Sequence, residues 1–259
     1  MKKRFLAGFL MCLLLAGCVF AVPGITAAAE APETSETPET PETPETPEDL
    51  PDVDIHSWEF RLCNAYNSVA FYICEYGPIE GQGLDPRVVP SALALLSDAR
   101  AQGYTIYMAQ AFRNLEWIET YYNKTFARCE FDPVATAKTF QGIGVNEHQT
   151  GLAIDFTDQM KNRGNYDIFE DPEMFESDLY AWLLEHCADY GFVPRYPQGK
   201  EYWYGVACPH CHFRYVGQTA ARYMMDHDLC LEEFISLYDP DAVFVPEHGR
   251  FNDAEKPAV

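Results

Sequence analysis

Asn146–Asp158 reads "NEHQTGLAIDFTD", and the way this stretch folds decides what the rest of the chain is built around. Gly151 permits a tight turn after His148. From there the residues alternate as in a strand: Leu152, Ile154 and Phe156 fall on one face, Ala153, Asp155 and Thr157 on the other. A carboxylate beside a small residue, one turn from a histidine, is the beginning of a metal site, because neutral imidazole and carboxylate are both ordinary zinc ligands. A catalytic zinc takes three protein ligands and keeps one position for water. The same residues equally suit a solvated sheet edge, so this stretch alone leaves both readings open.

A second stretch, "GVACPHCHFRYVG" from Gly205 to Gly217, offers the missing ligand. Alternation in "HFRYV" puts His212 and Arg214 on one strand face, with Phe213 and Tyr215 on the other. If this strand approaches the Asp155 strand, His212 becomes the third ligand, and His210 shares its face. Cys208 and Cys211 have the spacing of a redox dithiol, but such a site needs its first cysteine at a helix N-terminus. The flanks "YWYGVA" and "HFRYVG" are strand-like instead. A closed Cys/His zinc site needs a second ligand pair, and none lies nearby in sequence. A plain disulfide at Cys208 or Cys211 fits better than either.

The surrounding chain supplies helices and strands that do not alternate regularly, which predicts an α+β domain rather than a wound parallel sheet. "LDPRVVPSALALLSDARAQG" reads as a helix capped by Asp85 and stopped by Gly103, with Pro90 pushing its regular part later. "YTIYMA" (Tyr104–Ala109) is β-branched and aromatic, a strand. Arg113 follows its end, and Asn114 suits the cap of a helix through "LEWIETYYNKTFA". "SDLYAWLLEHCADYG" is a helix capped by Ser177 and ended by Gly191. Two strands around a Pro-Gly turn are expected in "GFVPRYPQGKEYWYGVACPHCHFRYVG", and a closing helix in "LEEFISLY".

The ends are different in kind. Residues 1–29 combine the basic "MKKR" with an apolar run and small residues near Ala29, the pattern of a signal peptide. "LLAGC" offers a lipoprotein signal ending at Cys18 as the alternative, and either one exports the protein. Residues 30–54 place a Glu at every third position from Glu30 to Glu48 among Pro and Thr. In polyproline II these carboxylates line up and repel, so the segment is an extended spacer, about 20 residues at ~3.1 Å each. The domain is expected over residues 55–242, with a tail over 243–259.

The formal charge is −22. Setting aside Lys2, Lys3 and Arg4 leaves 15 basic residues, and setting aside the ten acids of the spacer leaves 30 acidic ones, about −15 in all. That balance excludes nucleic acid and anionic membrane as partners. No second long apolar run follows the signal region, so no transmembrane segment is expected beyond it. Of nine cysteines, seven lie past the signal region, and outside the cell disulfides are the default expectation.

Together, "NEHQTGLAID" and "HFRYVG" resemble the VanY-type D-alanyl-D-alanine carboxypeptidases and their LD-carboxypeptidase relatives, zinc peptidases that trim peptidoglycan stem peptides. The resemblance runs from Leu84 to Leu237 and takes in "YTIYMAQAFRN", "WLLEHCADYGFVPRYPQGKE" and "LEEF". It implies a compact single α+β domain, Hedgehog/DD-peptidase-like, with an antiparallel sheet carrying the metal and flanking helices. By position it puts Zn2+ on His148, Asp155 and His212, makes Arg113 the group that polarises substrate, and places Gln110 with Arg113 in the substrate-binding stretch. It implies stem peptides of peptidoglycan as the partner.

The chain departs from the family pattern at four places. Pro209 stands where the family has its general-base Glu, and Cys211 where it has Trp. Gln110-Ala111-Phe112-Arg113 replaces a serine-glycine-aromatic-arginine run, and Asn146 replaces a common Ser. A lost general base costs roughly 10²–10⁴-fold in rate. His210 is the replacement acid–base nearest in sequence, since imidazole titrates near neutral pH. As a fourth ligand it would instead close the site and leave a protein that binds wall peptide without cutting it. Glu147, Asp158 and Glu201 are the other carboxylates in the motifs.

Overall fold

Four strands form one antiparallel sheet in the order β3-β4-β6-β5: β3 Tyr107–Gln110, β4 Ala153–Thr157, β5 Phe192–Pro194 and β6 His212–Tyr215. The computed structural model describes residues 47, 49–69, 72–162, 172–205 and 211–246, all within one compact unit, Pro44–Val259. The signal segment with Cys18, most of the acidic spacer, Cys208, Pro209, His210 and the end of the tail lie outside the described residues. Ahead of the sheet stands a small hairpin, β1 Gly77–Ile79 and β2 Gln82–Leu84. The helices are α1 Val89–Ala101, α2 Leu115–Arg128, α3 Pro133–Thr139, α4 Pro172–Phe175, α5 Asp178–His186, α6 Glu201–Tyr204, α7 Gln218–Asp226 and α8 Leu231–Ser236. No helix among the described residues is long and apolar enough to cross a membrane.

The alternation in the opening stretch is realised in β4. Ile154 and Phe156, with Met108, Phe192 and Phe213 of the neighbouring strands, pack on Leu95, Leu96 and Ala99 of α1 and on Leu179, Trp182 and Leu183 of α5. The opposite sheet face carries Asp155, His212 and Arg214. Both faces of β4 are buried, so the polar face is a closed interior rather than a solvated edge.

Local signals set the helix ends. Asn114 Oδ1 accepts from Trp117 N at 2.8 Å, and Ser177 Oγ from Tyr180 N at 3.1 Å, the two expected caps. Asp85 does not cap α1. It closes the turn before it, its carbonyl taking Val88 N at 2.8 Å and its Oδ1 taking Arg87 N at 3.0 Å. The helix starts at Val89, with Pro90 in the first turn, where a missing N–H costs nothing. The Pro-Gly region between β5 and β6 also differs from the strand expectation, since Tyr202, Trp203 and Tyr204 form the buried short helix α6. Their aromatic content reports burial, not strand geometry.

A second apolar cluster joins α7 and α8 to the N-terminal segment. Leu50 and Val53 pack against it, and Val243 is inside it. The folded body therefore reaches past 55–242 at both ends.

Among the described residues, Cys63, Cys74, Cys129, Cys187 and Cys230 are free thiols rather than the disulfide partners expected of an exported chain, while the disulfide expected at Cys208 or Cys211 involves a residue outside the described ones. Four of these are buried. Each is held as a small apolar group, and burial pushes Cys187 up to about 12 and Cys74 up to about 11.

Candidate metal centre

The antiparallel register of β4 and β6 places Asp155 directly opposite His212. His148 reaches the same point from the 3-10 turn Glu147–Thr150, which ends at Gly151 in the left-handed region (φ 73°). The result is a buried triad whose ligand atoms all lie within 4.8 Å of one another. His148 Nε2 is 3.0 Å from Asp155 Oδ2, and His212 Nδ1 is 2.7 Å from Asp155 Oδ1. The two imidazoles meet edge to face at 4.7 Å between centroids.

Electrostatics follow from this burial. Burial, helped by the Arg113 cation, lowers His148 to about 4, so its ring is neutral at physiological pH, the form that ligates metal. Burial alone would raise Asp155, but His148 and His212 outweigh it and hold the carboxylate well below its usual range. For His212 burial works downward, and Asp155 and Glu147 overcome it, so the ring binds its proton more firmly than usual.

The donor set suits zinc. Two imidazoles and one carboxylate are three protein ligands, the pattern of an open catalytic site. The three groups are drawn from two strands and a turn. In addition, His148 Nδ1 is buried with no hydrogen-bond partner among the described residues, so only Nε2 of that ring is engaged in the cluster.

Arg113 and Gln110 arrive from β3 and the turn behind it. A register shift between Met108 and Gln110 sets Gln110 opposite Asp155. Such bulges re-aim a side chain and recur beside active sites. Arg113 is only 4% exposed, which excludes a surface ion pair. Its Nη2 lies 3.5 Å from Asp155 Oδ2, its Nε donates to Gln110 Oε1 at 3.4 Å, and its backbone N donates to His148 O at 3.1 Å. Trp117 stacks under the guanidinium at 4.8 Å. Gln110, Arg113 and Trp117 open into a cleft of about 510 Å³ bounded by the β1–β2 hairpin. His212 borders a separate cleft of about 410 Å³.

His210 and Pro209 lie outside the described residues. Of the other carboxylates, Glu201 begins α6 and accepts from Gly199 N at 3.2 Å. Asp158 follows β4, and its Oδ1 is buried with no hydrogen-bond partner among the described residues.

Glu147 has a different setting, which residue spacing did not reveal. It is fully enclosed, with Oε2 against His212 Nε2 at 2.9 Å. Its Oε1 accepts from Arg195 Nε at 2.7 Å and Arg214 Nη1 at 2.6 Å. Arg195 in turn forks onto Glu232 at 2.6 and 2.9 Å. The one available signal was the shared strand face of His212 and Arg214.

Comparison with known proteins settles the family. The family model for VanY, D-alanyl-D-alanine carboxypeptidase, matches residues 81–218. The chain belongs to this family. A D-alanyl-D-alanine carboxypeptidase of Enterococcus faecalis (strain ATCC 700802 / V583) is 31% identical over 193 residues, covering 71% of this chain and 68% of the relative. Among solved structures, VanYB in complex with D-alanine-D-alanine superposes with a TM-score of 0.58 at 29% identity, over 70% of this chain and 98% of that one. A mutant VanY D,D-pentapeptidase from a VanB-type resistance cassette, in complex with Zn(II), gives 0.56 at 27% identity, over 69% and 99%. The mixed helix and antiparallel-sheet fold expected from the VanY resemblance is the fold observed.

Proposed function

We propose that the chain is an exported zinc carboxypeptidase that removes the terminal D-alanine of peptidoglycan stem peptides, at a D-Ala–D-Ala or an L,D bond. The observation that carries this reading is the convergence of His148 Nε2, Asp155 and His212 Nδ1 within 4.8 Å, with the Arg113 guanidinium 3.5 Å from Asp155. His148, Asp155 and His212 would hold the ion. Zinc bound there supplies Lewis-acid polarisation of the scissile carbonyl and a water of lowered pKa.

The chain's own residues do the rest. Arg113 presents a planar fork to the oxyanion or to the substrate's terminal carboxylate, and both are matched by bidentate N–H donation. Its burial and the Trp117 ring beneath it hold that fork in place before substrate arrives. Gln110 accepts from Arg113 Nε and so orients it, at the mouth of the cleft under β1–β2. His210 takes the acid–base role left open by Pro209. Residues 1–29 direct export, with Cys18 as the alternative point of lipid attachment, and the acidic spacer holds the domain off the surface.

A second reading has its own support: the same centre in a protein that binds wall peptide without cutting it. Glu147 is turned to the far nitrogen of His212 and bound by two arginines, so it does not replace the missing general base.

Metal analysis and incubation with muropeptides separate the two. About one zinc per chain, with D-alanine released from penta- or tetrapeptide stems and the release abolished by chelation, is the expected result. Zinc at that level with no release from either stem refutes the enzyme. Unchanged turnover in His210→Ala removes that residue from the mechanism.

A further inference from the structure

Glu147 is a buried carboxylate that the chemistry above leaves unused, and it touches a ligand residue from behind. A histidine that ligates through Nδ1 must carry its proton on Nε2, and its ring orientation is set by whatever accepts that proton. His212 has both nitrogens engaged: Nδ1 at 2.7 Å from Asp155 Oδ1 and Nε2 at 2.9 Å from Glu147 Oε2. Tyr196 stacks on the ring face at 5.2 Å.

The carboxylate itself has no freedom to turn. Its Oε1 is shared by Arg195 and Arg214 at 2.7 and 2.6 Å. Arg195 is fixed by the fork onto Glu232, and Glu232 by Asn64 Nδ2 at 2.5 Å. Arg214 Nη2 donates to the carbonyls of Glu59 at 2.7 Å and Arg61 at 2.9 Å. The two guanidiniums balance the two carboxylates, so the cluster is neutral and its hydrogen bonds are well made, the condition under which buried charge is tolerated.

We infer that Glu147, clamped by Arg195 and Arg214, is the positioning residue of the metal centre: it keeps the proton of His212 on Nε2 and turns Nδ1 toward the ion. This rests on the reading of His212 as a zinc ligand. The hydrogen-bond partners of ligating histidines typically contribute about 10- to 100-fold in metal affinity.

The test compares full-length wild type, Glu147→Gln and Glu232→Gln by zinc titration, with the visible spectrum of the Co(II)-substituted protein as a second readout. Glu232→Gln removes the same charge from the same cluster without touching His212. Glu147→Gln should bind zinc about 10- to 100-fold more weakly and shift the Co(II) bands, while Glu232→Gln keeps wild-type metal affinity and loses only stability. Equal zinc affinity in Glu147→Gln and wild type overturns the inference and leaves the zinc site standing. Equal losses in both variants also overturn it, because the effect is then general to the cluster. A wild-type chain that takes up no zinc overturns the zinc reading itself. Should Glu147→Gln fail to fold, long-range ¹H–¹⁵N correlations on zinc-loaded wild type decide the point. His212 coordinated through Nδ1 with a slowly exchanging Nε2 proton supports the inference, and coordination through Nε2 refutes it.

Discussion

Gly151→Ala probes the turn that delivers His148 to the centre. Gly151 sits at φ 73° and ψ 9°, where an L-residue pays roughly 1–2 kcal/mol. A Cβ added there would lie 2.6 Å from Cys74 Sγ and 2.9 Å from the backbone N of Asp85. The sulfur is at the end of a side chain and can give way. The backbone contact cannot, because Asp85 N donates to Gly151 O at 2.9 Å and the two segments are tied together. Forcing atoms into such a contact costs about 1–3 kcal/mol, so the total is about 2–5 kcal/mol, a large share of the roughly 5–15 kcal/mol available to a domain. Urea unfolding in the presence of chelator measures this without a contribution from metal. A cycle with Cys74→Ala apportions it: removing the sulfur relieves the closer contact and leaves the backbone contact and the dihedral cost. A single variant within about 0.5 kcal/mol of wild type, the range of ordinary surface changes, refutes the account of the turn. Gly151 N also donates to His148 O at 3.3 Å, so a folded variant should bind zinc more weakly as well.

Three further outcomes follow from the geometry. Arg113→Ala should retain zinc but lower kcat by about 10²–10³, the usual loss for an oxyanion donor, and steady-state assays on stem peptides check it. The buried thiols make the fold alkali-sensitive. Unfolded cysteines ionise above pH 9.0, whereas Cys187 and Cys74 stay protonated up to about 12 and about 11 in the fold. The unfolded state then binds fewer protons, so stability is full below pH 9 and falls as pH rises, by at most about 1.4 kcal/mol per pH unit per thiol. Urea midpoints from pH 7.5 to 10.5 test this, and a flat profile contradicts it. Asn114→Ala should cost about 1 kcal/mol by leaving Trp117 N without its acceptor, while Asn114→Gly costs only a few tenths. Equal losses in thermal melts would show that the cap is not the source.

Local chemistry was legible in the sequence, and long-range neutralisation was not. Asn114 and Ser177 announced their helices because a cap is a contact over three residues. Alternation in "LAIDF" assigned each side chain of β4 to its face, and Asp155 and His212 were both on the polar one. Their exact opposition needed a pairing across 57 residues, which only the family resemblance supplied. Export predicted disulfides, yet Cys63, Cys74, Cys187 and Cys230 are buried thiols that serve as packing groups. The β1–β2 hairpin escaped because its strands are three residues each and its turn opens on Glu80 ahead of Gly81, both at positive φ, where an Asn or Asp usually marks such a turn. Nothing local marked Glu147, Arg195 and Glu232 as buried, since such residues are buried only when paired and each partner lies tens of residues away.

The arginine–glutamate cluster also separates two lengths of chain that are easily confused. The part that comparison recognises as VanY runs over 81–218. Cut back to those residues, the chain would keep Arg214 but lose the Glu59 and Arg61 carbonyls that it donates to. It would keep Arg195 and lose Glu232. Two buried cations would then share the single carboxylate of Glu147, an imbalance worth about 3–5 kcal/mol for one broken pair alone. The apolar cover from α8 and from Leu50 and Val53 would go with them. A unit that keeps these contacts spans about 50–245, and the flanks beyond the recognised stretch are the part that keeps its charges out of water.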